Sequence, residues 1–479
     1  MVAGGGVPRP LRPEGPTGRA TERPLPSVRA AVRRVTMASG TGRSGPDEEA
    51  AVIGRPTAGG GPGRGRPGVP VPAPTTGRSV VVFADPEVDA AATLRRLAGV
   101  TEVADSRDVE GRDADARALR QADAVVFPGL GLAVAGVDPQ QLAGDPSVLA
   151  VTPELVHHVL PEVPEGYLAG YRDGVADLTA RLVEAGETPS PGAPVFADTP
   201  EHTWGLLATE AVSSPRTGRG IRVAVLDTGV DLAHPDLAGR ALTATSFVAG
   251  QSAQDGHGHG THCVGTACGP RTRPGARGYG VAPETEVFVG KVLSDEGSGT
   301  DAEILAGIAW AVRNQCQVIS MSLGADTPEP SPAYTAAGRR ALDQGSLIVA
   351  AAGNNADRGA GDVGFVGAPA NSPDVLAVGA LDPHLAVAWF SARSTAVPGG
   401  QVDLAAPGVD VYSSWPLPDC YNTISGTSMA TPHVAGLAAL WAEETGLRGR
   451  DLWWALDRAS RRLPLPSVDV GSGLPLAPQ

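Results

Sequence analysis

The chain has 479 residues, which is too long for one compact core, and its apolar share of 42% is typical of folded soluble proteins. The formal net charge is −14, yet residues 1–78 hold 12 Arg against 5 Asp and Glu, so the remaining 26 basic and 47 acidic residues leave the rest at −21. Binding of nucleic acid needs clustered positive charge, so an acidic folded body argues against nucleic acid as a partner.

Residues 1–78 are rich in Pro, Gly and Arg and predict a disordered, solvated leader. In residues 79–157, short β-rich runs alternate with helical spacing in the order β-α-β-β-α-β. This order predicts a small ferredoxin-like α+β domain, and an unrelated regulatory α+β domain fits the pattern equally well. Residues 158–203 contain one amphipathic stretch and a Pro-rich run, which predict a linker.

From about Trp204 the pattern changes to apolar runs separated by helical stretches. Five runs are apolar almost throughout: IRVAVLD, EVFVGKVL, VISMSLG, LIVAAAGN and VLAVGAL. Strands that are buried on both faces have this composition, so residues 204–479 predict an α/β fold with a parallel sheet flanked by helices. Reactive groups in such a fold gather at the carboxyl ends of the strands.

Neither a disulfide framework nor a membrane span is predicted. The four cysteines have irregular spacing without a C-x-x-C pair, which also argues against a zinc site. No apolar run has the length of a membrane span, and no secretory signal follows Met1 or Met37. We therefore expect a cytoplasmic protein, or one exported by a route that the sequence does not show.

An aspartate and a group of histidines are candidates for acid–base chemistry. Asp227 ends the apolar run IRVAVLD and could orient an imidazole, or it could cap the turn before Gly229. His257, His259 and His262 lie in the run DGHGHGTHCVGTACG, where close spacing would also suit a metal site. The glycines around them favour close backbone packing at the start of a helix.

A serine and an asparagine could complete a nucleophilic site. Ser428 lies in ISGTSMATPHVAG at the start of an apolar helical run, where it is either a nucleophile or, like Thr427, a helix N-cap. Asn354 ends the run SLIVAAAGN and is either a donor to an oxyanion or a turn residue. Each of these signals is weak by itself.

Together the motifs resemble those of the subtilisin-like serine proteases, or subtilases, over about residues 204–476. The motifs are VAVLDTGV with HPDL, GHGTHCVGT, SMSLG, AAAGN, DLAAPG and SGTSMATPHVAG, in the family order Asp, His, Ser. The resemblance implies that Ser428 is the nucleophile, His259 its base and Asp227 the residue that orients the base. It also implies an oxyanion hole formed by Asn354 and the backbone N–H of Ser428.

The resemblance further implies a substrate cleft. Ser322, Leu323 and Gly324 would pair with an extended substrate, and Gly297, Ser298 and Gly299 would form the opposite wall. The specificity pocket would be lined from Ala350 onward, by Ala351, Ala352 and Gly353. Asp301, Ile304 and Leu323 would surround a pocket four residues upstream of the cleaved bond. We expect an apolar preference there, with Asp301 tolerating or favouring a basic residue.

Residues 79–157 resemble a subtilisin-type propeptide, which would act as an intramolecular inhibitor and folding chaperone. The resemblance implies a self-processing zymogen that is cut between Val151 and Thr203 and acts on protein or peptide substrates. Cys263 resembles a thiol found beneath the histidine in some subtilases, although a small buried hydrophobe is the alternative. No cofactor is required for such catalysis, and no run of ligands supports structural calcium, although the family leaves it open.

Three other functions share features with this sequence. A catalytically silent subtilase used as a scaffold would need a broken triad, which is not seen. A maturation protease that cuts one peptide would use the same chemistry. A lipase or esterase of the α/β-hydrolase type is disfavoured, because G-x-S-x-G is absent around Ser428 and the triad order differs.

Overall fold

The computed structural model describes residues 73–109, 113–160 and 196–479. Almost all of the predicted leader and the middle of the predicted linker lie outside these ranges. The described residues fall within one unit of tertiary contacts, residues 65–479. We call residues 73–160 the N-terminal subdomain and residues 196–479 the C-terminal subdomain. Within the described ranges, no helix is both long enough and apolar enough to cross a membrane.

The N-terminal subdomain is a mainly antiparallel sheet in the order β5-β1-β4-β3-β2, in which only β2 and β3 pair in parallel. Its strands are β1 (Thr75–Phe83), β2 (Val103–Asp105), β3 (Ala124–Phe127), β4 (Leu132–Ala135) and β5 (Val148–Val159). Its helices are α1 (Ala90–Ala98), α2 (Asp113–Gln121) and α3 (Pro139–Leu142), with a 3₁₀ turn at Ser106–Val109.

Three details of this subdomain differ from the sequence-based expectation. Strand β1 begins at Thr75 rather than Ser79, so the last residues of the predicted leader are part of the sheet. Strand β5 extends through Val159, into the predicted linker. Helix α2 was not expected, because its sequence is polar and only Ala116 and Leu119, three residues apart, are buried among its described side chains.

The C-terminal subdomain contains a parallel sheet of seven strands in the order β14-β13-β12-β10-β6-β8-β7. These strands are β6 (Arg222–Asp227), β7 (Leu242–Ser246), β8 (Glu286–Lys291), β10 (Val318–Met321), β12 (Leu347–Ala351), β13 (Leu376–Leu381) and β14 (Leu404–Pro407). Shorter strands are β9 (Ser298–Thr300), β11 (Leu323–Gly324), β15 (Val411–Ser414), β16 (Tyr421–Ile424), β17 (Ser460–Arg461) and β18 (Leu474–Pro475).

Helices cover both faces of this parallel sheet, so the predicted α/β class is confirmed. They are α4 (Trp204–Ala208), α5 (His259–Cys268), α6 (Asp301–Arg313), α7 (Pro332–Asp343), α8 (Thr427–Thr445), α9 (Gly449–Arg458) and α10 (Ser467–Val470), with a 3₁₀ turn at Arg358–Ala360. Alternate residues of β6 contribute to two cores on opposite faces of the sheet. Val223 and Val225 pack with α5 and α8, whereas Ala224 and Leu226 pack with α6 and α7.

The N-terminal sheet is also buried on both faces. Val81 and Phe83 of β1 pack against α1 and α3, within their own subdomain. Val80 and Val82 point the other way and share one core with helices α6 and α7 of the C-terminal subdomain. Side chains alternate along a strand, so β1 contributes to two cores at once. The two subdomains are therefore joined by continuous apolar packing.

Strand β5 is the second connection between the subdomains. Its first part pairs antiparallel with β1, from Val148 to Leu155. Its last residues pair antiparallel with β9 on one side and with β11 on the other. Twelve residues of one strand thus belong to the N-terminal sheet and then to a groove of the C-terminal subdomain.

Truncation of Leu305 should test the shared core. Leu305→Ala removes a fully buried side chain of α6 and should lower the free energy of unfolding by about 2–5 kcal/mol. We would measure the free energy of unfolding of the parent chain and the variant by chemical denaturation. Leu149→Ala is the matched control, because that leucine is 70% exposed and its truncation should cost less than about 0.5 kcal/mol. Equal losses of unfolding free energy in Leu305→Ala and Leu149→Ala would contradict the packing described above.

Candidate active site

The predicted reactive residues lie at one edge of the parallel sheet. Asp227 is the last residue of β6, and Ser322 directly follows β10. Asn354 lies three residues beyond the end of β12. Helices α5 and α8 begin at the same edge, with His259 as the first residue of α5 and Ser428 as the second of α8. Parallel pairing brings these positions together although they are distant in sequence.

Asp227 and His259 form a buried hydrogen bond. The Nδ1–H of His259 donates to Oδ1 of Asp227 over 2.8 Å, and both side chains are at most 1% exposed. The backbone N–H of Thr228 donates to the same carboxylate oxygen, also over 2.8 Å. With Nδ1 protonated, Nε2 of a neutral His259 carries the lone pair and can accept a proton.

The environment of His259 favours its protonated form. Burial alone would lower the pKa of His259, but the Asp227 carboxylate raises this pKa well above its ordinary value of 6.5. Cys263 lies below the ring, with Sγ 3.9 Å from Nδ1 of His259 and 3.6 Å from the carbonyl oxygen of Ser428. Burial raises the pKa of the Cys263 thiol, which keeps it neutral, so Asp227 is the counter-ion of the imidazole.

The start of α5 selects one histidine among three. Gly258 precedes His259 with φ of 109°, and a Cβ there would collide with the ring of Trp415. His262 donates through Nε2 to the carbonyl of Val411 over 2.9 Å, and burial lowers its pKa to about 3. The ring of His257 lies 6.3 Å from that of His259, at 82°. The three imidazoles therefore do not converge on one metal position.

One group of possible metal ligands does overlap the site. Among the described residues, atoms of Asp227, His259 and Cys263 lie close enough together to hold an ion. All three residues are buried, and the Asp227–His259 hydrogen bond already occupies two of them. The geometry is thus explained by that hydrogen bond and needs no metal.

Ser428 sits at the N-terminal end of α8 and is 1% exposed. Its hydroxyl donates to the carbonyl of Ser322 over 3.3 Å, and its own carbonyl accepts from the Ser322 hydroxyl over 2.8 Å. Nε2 of His259 is buried without a hydrogen-bond partner in the described structure. The hydroxyl of Ser428 thus points at Ser322 instead of His259, and rotation about its χ1 is needed before a proton can pass.

Two N–H donors converge beside Ser428. A Cβ built on Gly426 would lie 3.1 Å from Nδ2 of Asn354, 3.5 Å from the backbone N of Ser428 and 3.6 Å from its Cβ. Oδ1 of Asn354 accepts from the backbone N–H and the hydroxyl of Thr427 over 2.9 and 2.8 Å, which sets the amide orientation. Because Gly426 has no side chain, its own Cβ does not come between these two donors.

The predicted cleft walls enclose the end of β5. Val156, His157 and His158 pair with Thr300, Gly299 and Ser298, while His158 and Val159 pair with Gly324 and Leu323. The N–H of Val159 also donates to the carbonyl of Gly297 over 2.8 Å. The structure thus brings together both predicted walls. Continued by one residue, this register carries Leu160 opposite Ser322, whose carbonyl accepts from Ser428.

The residues predicted for the specificity pocket are buried in the segment that leads from β12 to Asn354. Ala351 ends β12, and the backbone N–H of Gly353 donates to the hydroxyl of Thr427 over 3.2 Å. Ala352 forms backbone hydrogen bonds with Val378 and Gly367. This segment therefore reaches the start of α8 next to Ser428.

The upstream pocket contains polar groups that sequence reasoning missed. Asp301, Ile304 and Leu323 are buried, and His157 of β5 and Tyr334 of α7 are buried with them. Nε2 of His157 lies 2.7 Å from Oδ1 of Asp301, and the Tyr334 hydroxyl donates to the same oxygen over 2.7 Å. No local pattern marks Tyr334, because its hydroxyl contacts Asp301 only through the packing of α7 near the start of α6.

The chain resembles known proteins over the residues that hold this site. A model of the subtilase family matches residues 218–459, half of the chain. Over 241 residues the chain is 43% identical to subtilisin Savinase from Lederbergia lenta, covering 50% of this chain and 82% of that protein. Subtilisin DY from Bacillus licheniformis is 42% identical over 224 residues, which is 47% of this chain and 77% of that protein.

A third relative, M-protease from Shouchella clausii (strain KSM-K16), is 43% identical over 241 residues, which is 50% of this chain and only 58% of that protein. The matched region contains Asp227, His259 and Ser428 at the edge of the parallel sheet described above. The chain therefore belongs to the subtilase family, and residues 218–459 are its serine peptidase domain.

Proposed function

We propose that this protein is a serine endopeptidase made as a self-processing zymogen, with Asp227, His259 and Ser428 as its catalytic triad. The observation that carries the proposal is the buried 2.8 Å hydrogen bond between Asp227 and His259 beside Ser428 at the start of α8. This bond leaves Nε2 as the only imidazole nitrogen able to take a proton.

The proposed reaction is acyl transfer in two steps. Oγ of Ser428 attacks the peptide carbonyl carbon, and its proton passes to Nε2 of His259. The protonated His259 then gives this proton to the leaving amine nitrogen, so the C–N bond breaks and an ester to Ser428 remains. Water attacks the ester by the reverse route, again with His259 as base, and frees Ser428. No cofactor takes part.

Negative charge on the carbonyl oxygen would be stabilised in the space beside Gly426. The Nδ2 group of Asn354 and the backbone N–H of Ser428 converge there, and both would donate to the oxyanion. The position of Ser428 at the N-terminus of a 19-residue helix adds the favourable end of the helix dipole.

We further propose that the N-terminal subdomain is a ferredoxin-like propeptide that inhibits the enzyme. The order of its four main strands, β5-β1-β4-β3, is that of a ferredoxin-like sheet with β2 added at the edge. The end of β5 lies where an extended substrate would pair with the cleft walls. Glu154 of β5 also accepts from the N–H of Ala302 over 3.1 Å, which caps α6.

A charged contact supports the same docking. Arg120 of α2 donates through Nε to Oε1 of Glu303 over 2.8 Å, and Glu303 is fully buried. Burial raises the pKa of Glu303, and Arg120 opposes this rise. Arg120 thus supplies a counter-charge to a buried carboxylate across the contact between the two subdomains.

The proposed processing can be tested by mass spectrometry of the intact chain beside Ser428→Ala. Val159 and Phe196 both pack on the C-terminal subdomain, so we expect cleavage after residue 159 and before residue 197. This range lies within the broader one predicted from the sequence. The fragments should be absent from Ser428→Ala. Cleavage that persists in the variant, or an intact wild-type chain that cuts no peptide library, would overturn the proposal.

Asp227→Asn should remove the negative charge of residue 227 and keep the shape of its side chain. We expect kcat/KM for a peptide substrate to fall on the order of 10⁴-fold, because an amide no longer holds the required tautomer. His259 must be neutral to accept a proton, so activity rises with pH through its pKa, which lies above 6.5 in the wild type. Loss of the Asp227 charge should move this inflection to lower pH.

The control for this variant is Asp343→Asn, which removes an exposed carboxylate at the end of α7. We expect it to leave both kcat/KM and the inflection unchanged. An unshifted inflection in Asp227→Asn would argue against the assignment of Asp227 as the counter-ion of His259.

Asn354→Ala should lower kcat by about 10²–10³-fold with little effect on KM, since the lost donor acts on the oxyanion and not on bound substrate. Steady-state kinetics would measure both constants. Asn422→Ala is the control, because the Asn422 side-chain oxygen accepts from the backbone N–H of the neighbouring Thr423, whereas Asn354 accepts from Thr427. A rise in KM with kcat unchanged would contradict the proposed role.

A further inference from the structure

A buried polar trio lies in the cleft, formed by His157, Asp301 and Tyr334. Asp301 and His157 are at most 1% exposed, and their atoms Oδ1 and Nε2 are 2.7 Å apart. The Tyr334 hydroxyl lies 2.7 Å from the same Oδ1 and 3.2 Å from the same Nε2. The rings of His157 and Tyr334 also meet edge to face, with centroids 5.4 Å apart. The trio thus combines three polar contacts with one ring contact.

The donors and acceptors of the trio can be assigned. Burial, followed by the Asp301 carboxylate, raises the pKa of Tyr334 well above its ordinary value, so its hydroxyl stays protonated. That single proton goes to Oδ1 of Asp301, which leaves an oxygen lone pair of Tyr334 toward His157. Nε2–H of His157 is therefore the donor, and the pocket supplies two oxygen acceptors.

The position of His157 follows from strand pairing. Residue 157 lies opposite Gly299, and residue 159 opposite Leu323. An extended substrate that pairs with the same walls in the same register would place one side chain against Asp301. The substrate residue that takes the place of His157 is called the trio position. If the substrate residue in the place of Leu160 has the carbonyl that Ser428 attacks, the trio position lies three residues before it.

Asp301 and Tyr334 belong to the C-terminal subdomain and remain when the N-terminal subdomain leaves. Asp301 is the first residue of α6, where the helix dipole favours a carboxylate. Its other oxygen accepts from the backbone N–H of Leu155 over 2.7 Å, a contact that the backbone of any paired peptide can replace. The side-chain contact to Oδ1, in contrast, requires a donor on the incoming residue.

We propose that Asp301 and Tyr334 make the cleft selective for substrates with histidine at the trio position and against substrates with an acidic residue there. This inference rests on the proposed endopeptidase function. An apolar side chain would cover the Asp301 carboxylate without giving it a donor, which costs binding free energy. An acidic side chain would add like-charge repulsion in a buried place. This proposal extends the basic preference that the sequence predicts through Asp301 and departs from the apolar preference predicted beside it.

The test uses peptides that copy the chain's own strand. The peptides are Leu-Val-X-His-Val-Leu with a p-nitroanilide leaving group, where X is His, Leu or Asp. Hydrolysis by the processed enzyme is followed by absorbance, and kcat/KM for each X is compared as a ratio within one enzyme preparation. Such ratios do not depend on the amount of active enzyme, so variants that process or fold less well remain informative.

For the wild type we expect kcat/KM with X = His to exceed that with X = Leu by about tenfold, and X = Asp to be the poorest substrate. Asp301→Asn should bring the ratio of His to Leu close to one and relieve the discrimination against Asp. Tyr334→Phe keeps the carboxylate and the ring but loses the hydroxyl, so the ratio should fall only a few fold. Asp343→Asn, which lies on helix α7 like Tyr334, should leave the ratios of kcat/KM among the three peptides unchanged.

The outcomes separate the two proposals. Hydrolysis of all peptides with Leu equal to or better than His would overturn the selectivity and leave the endopeptidase function intact. A preference for His that survives in both Asp301→Asn and Tyr334→Phe would also overturn it. Absence of hydrolysis of every peptide by wild-type enzyme, as in Ser428→Ala, would overturn the proposed function and the selectivity with it.

Discussion

Parallel pairing of β6 with β8 and β10 is the constraint on which the rest of the structure depends. In a parallel sheet all carboxyl ends lie at one edge, so residues after different strands meet there. Asp227 ends β6 and Ser322 follows β10, while α5 and α8 return to the same edge with His259 and Ser428. Thirty-two residues separate Asp227 from His259, yet their side chains share a 2.8 Å hydrogen bond.

Strand β5 belongs both to the N-terminal sheet and to the cleft of the C-terminal subdomain. Its first residues complete the N-terminal sheet, and its last four lie between the walls formed by β9 and β11. His158 is paired on both edges, so this part of the strand has its backbone hydrogen bonds satisfied by the two walls. The low exposure of Ser428 and His259 describes the cleft in this covered state.

Buried charges in this protein are held by specific partners. Asp227 is paired with His259, Asp301 with His157 and Tyr334, and Glu303 with Arg120. Uncompensated charges in a protein interior are costly, so each pair defines one arrangement of its elements. Two of the three pairs cross between the subdomains, and they make the interface polar where β5 and α2 meet α6.

The sequence by itself determined the parallel α/β class and the candidates Asp227, His259, Ser428 and Asn354, because apolar runs and their terminal residues are local features. The motif resemblance already implied His259 as the base, and the tertiary structure added how its surroundings differ from those of His262, since Gly258 packs against Trp415 and His262 is bound to Val411. The tertiary structure also revealed α2, whose apolar signal is two residues, and the trio, in which 177 residues separate His157 from Tyr334. Periodicity reports on neighbours along the chain, whereas hydrogen bonds across such distances form only when packed elements bring their side chains together.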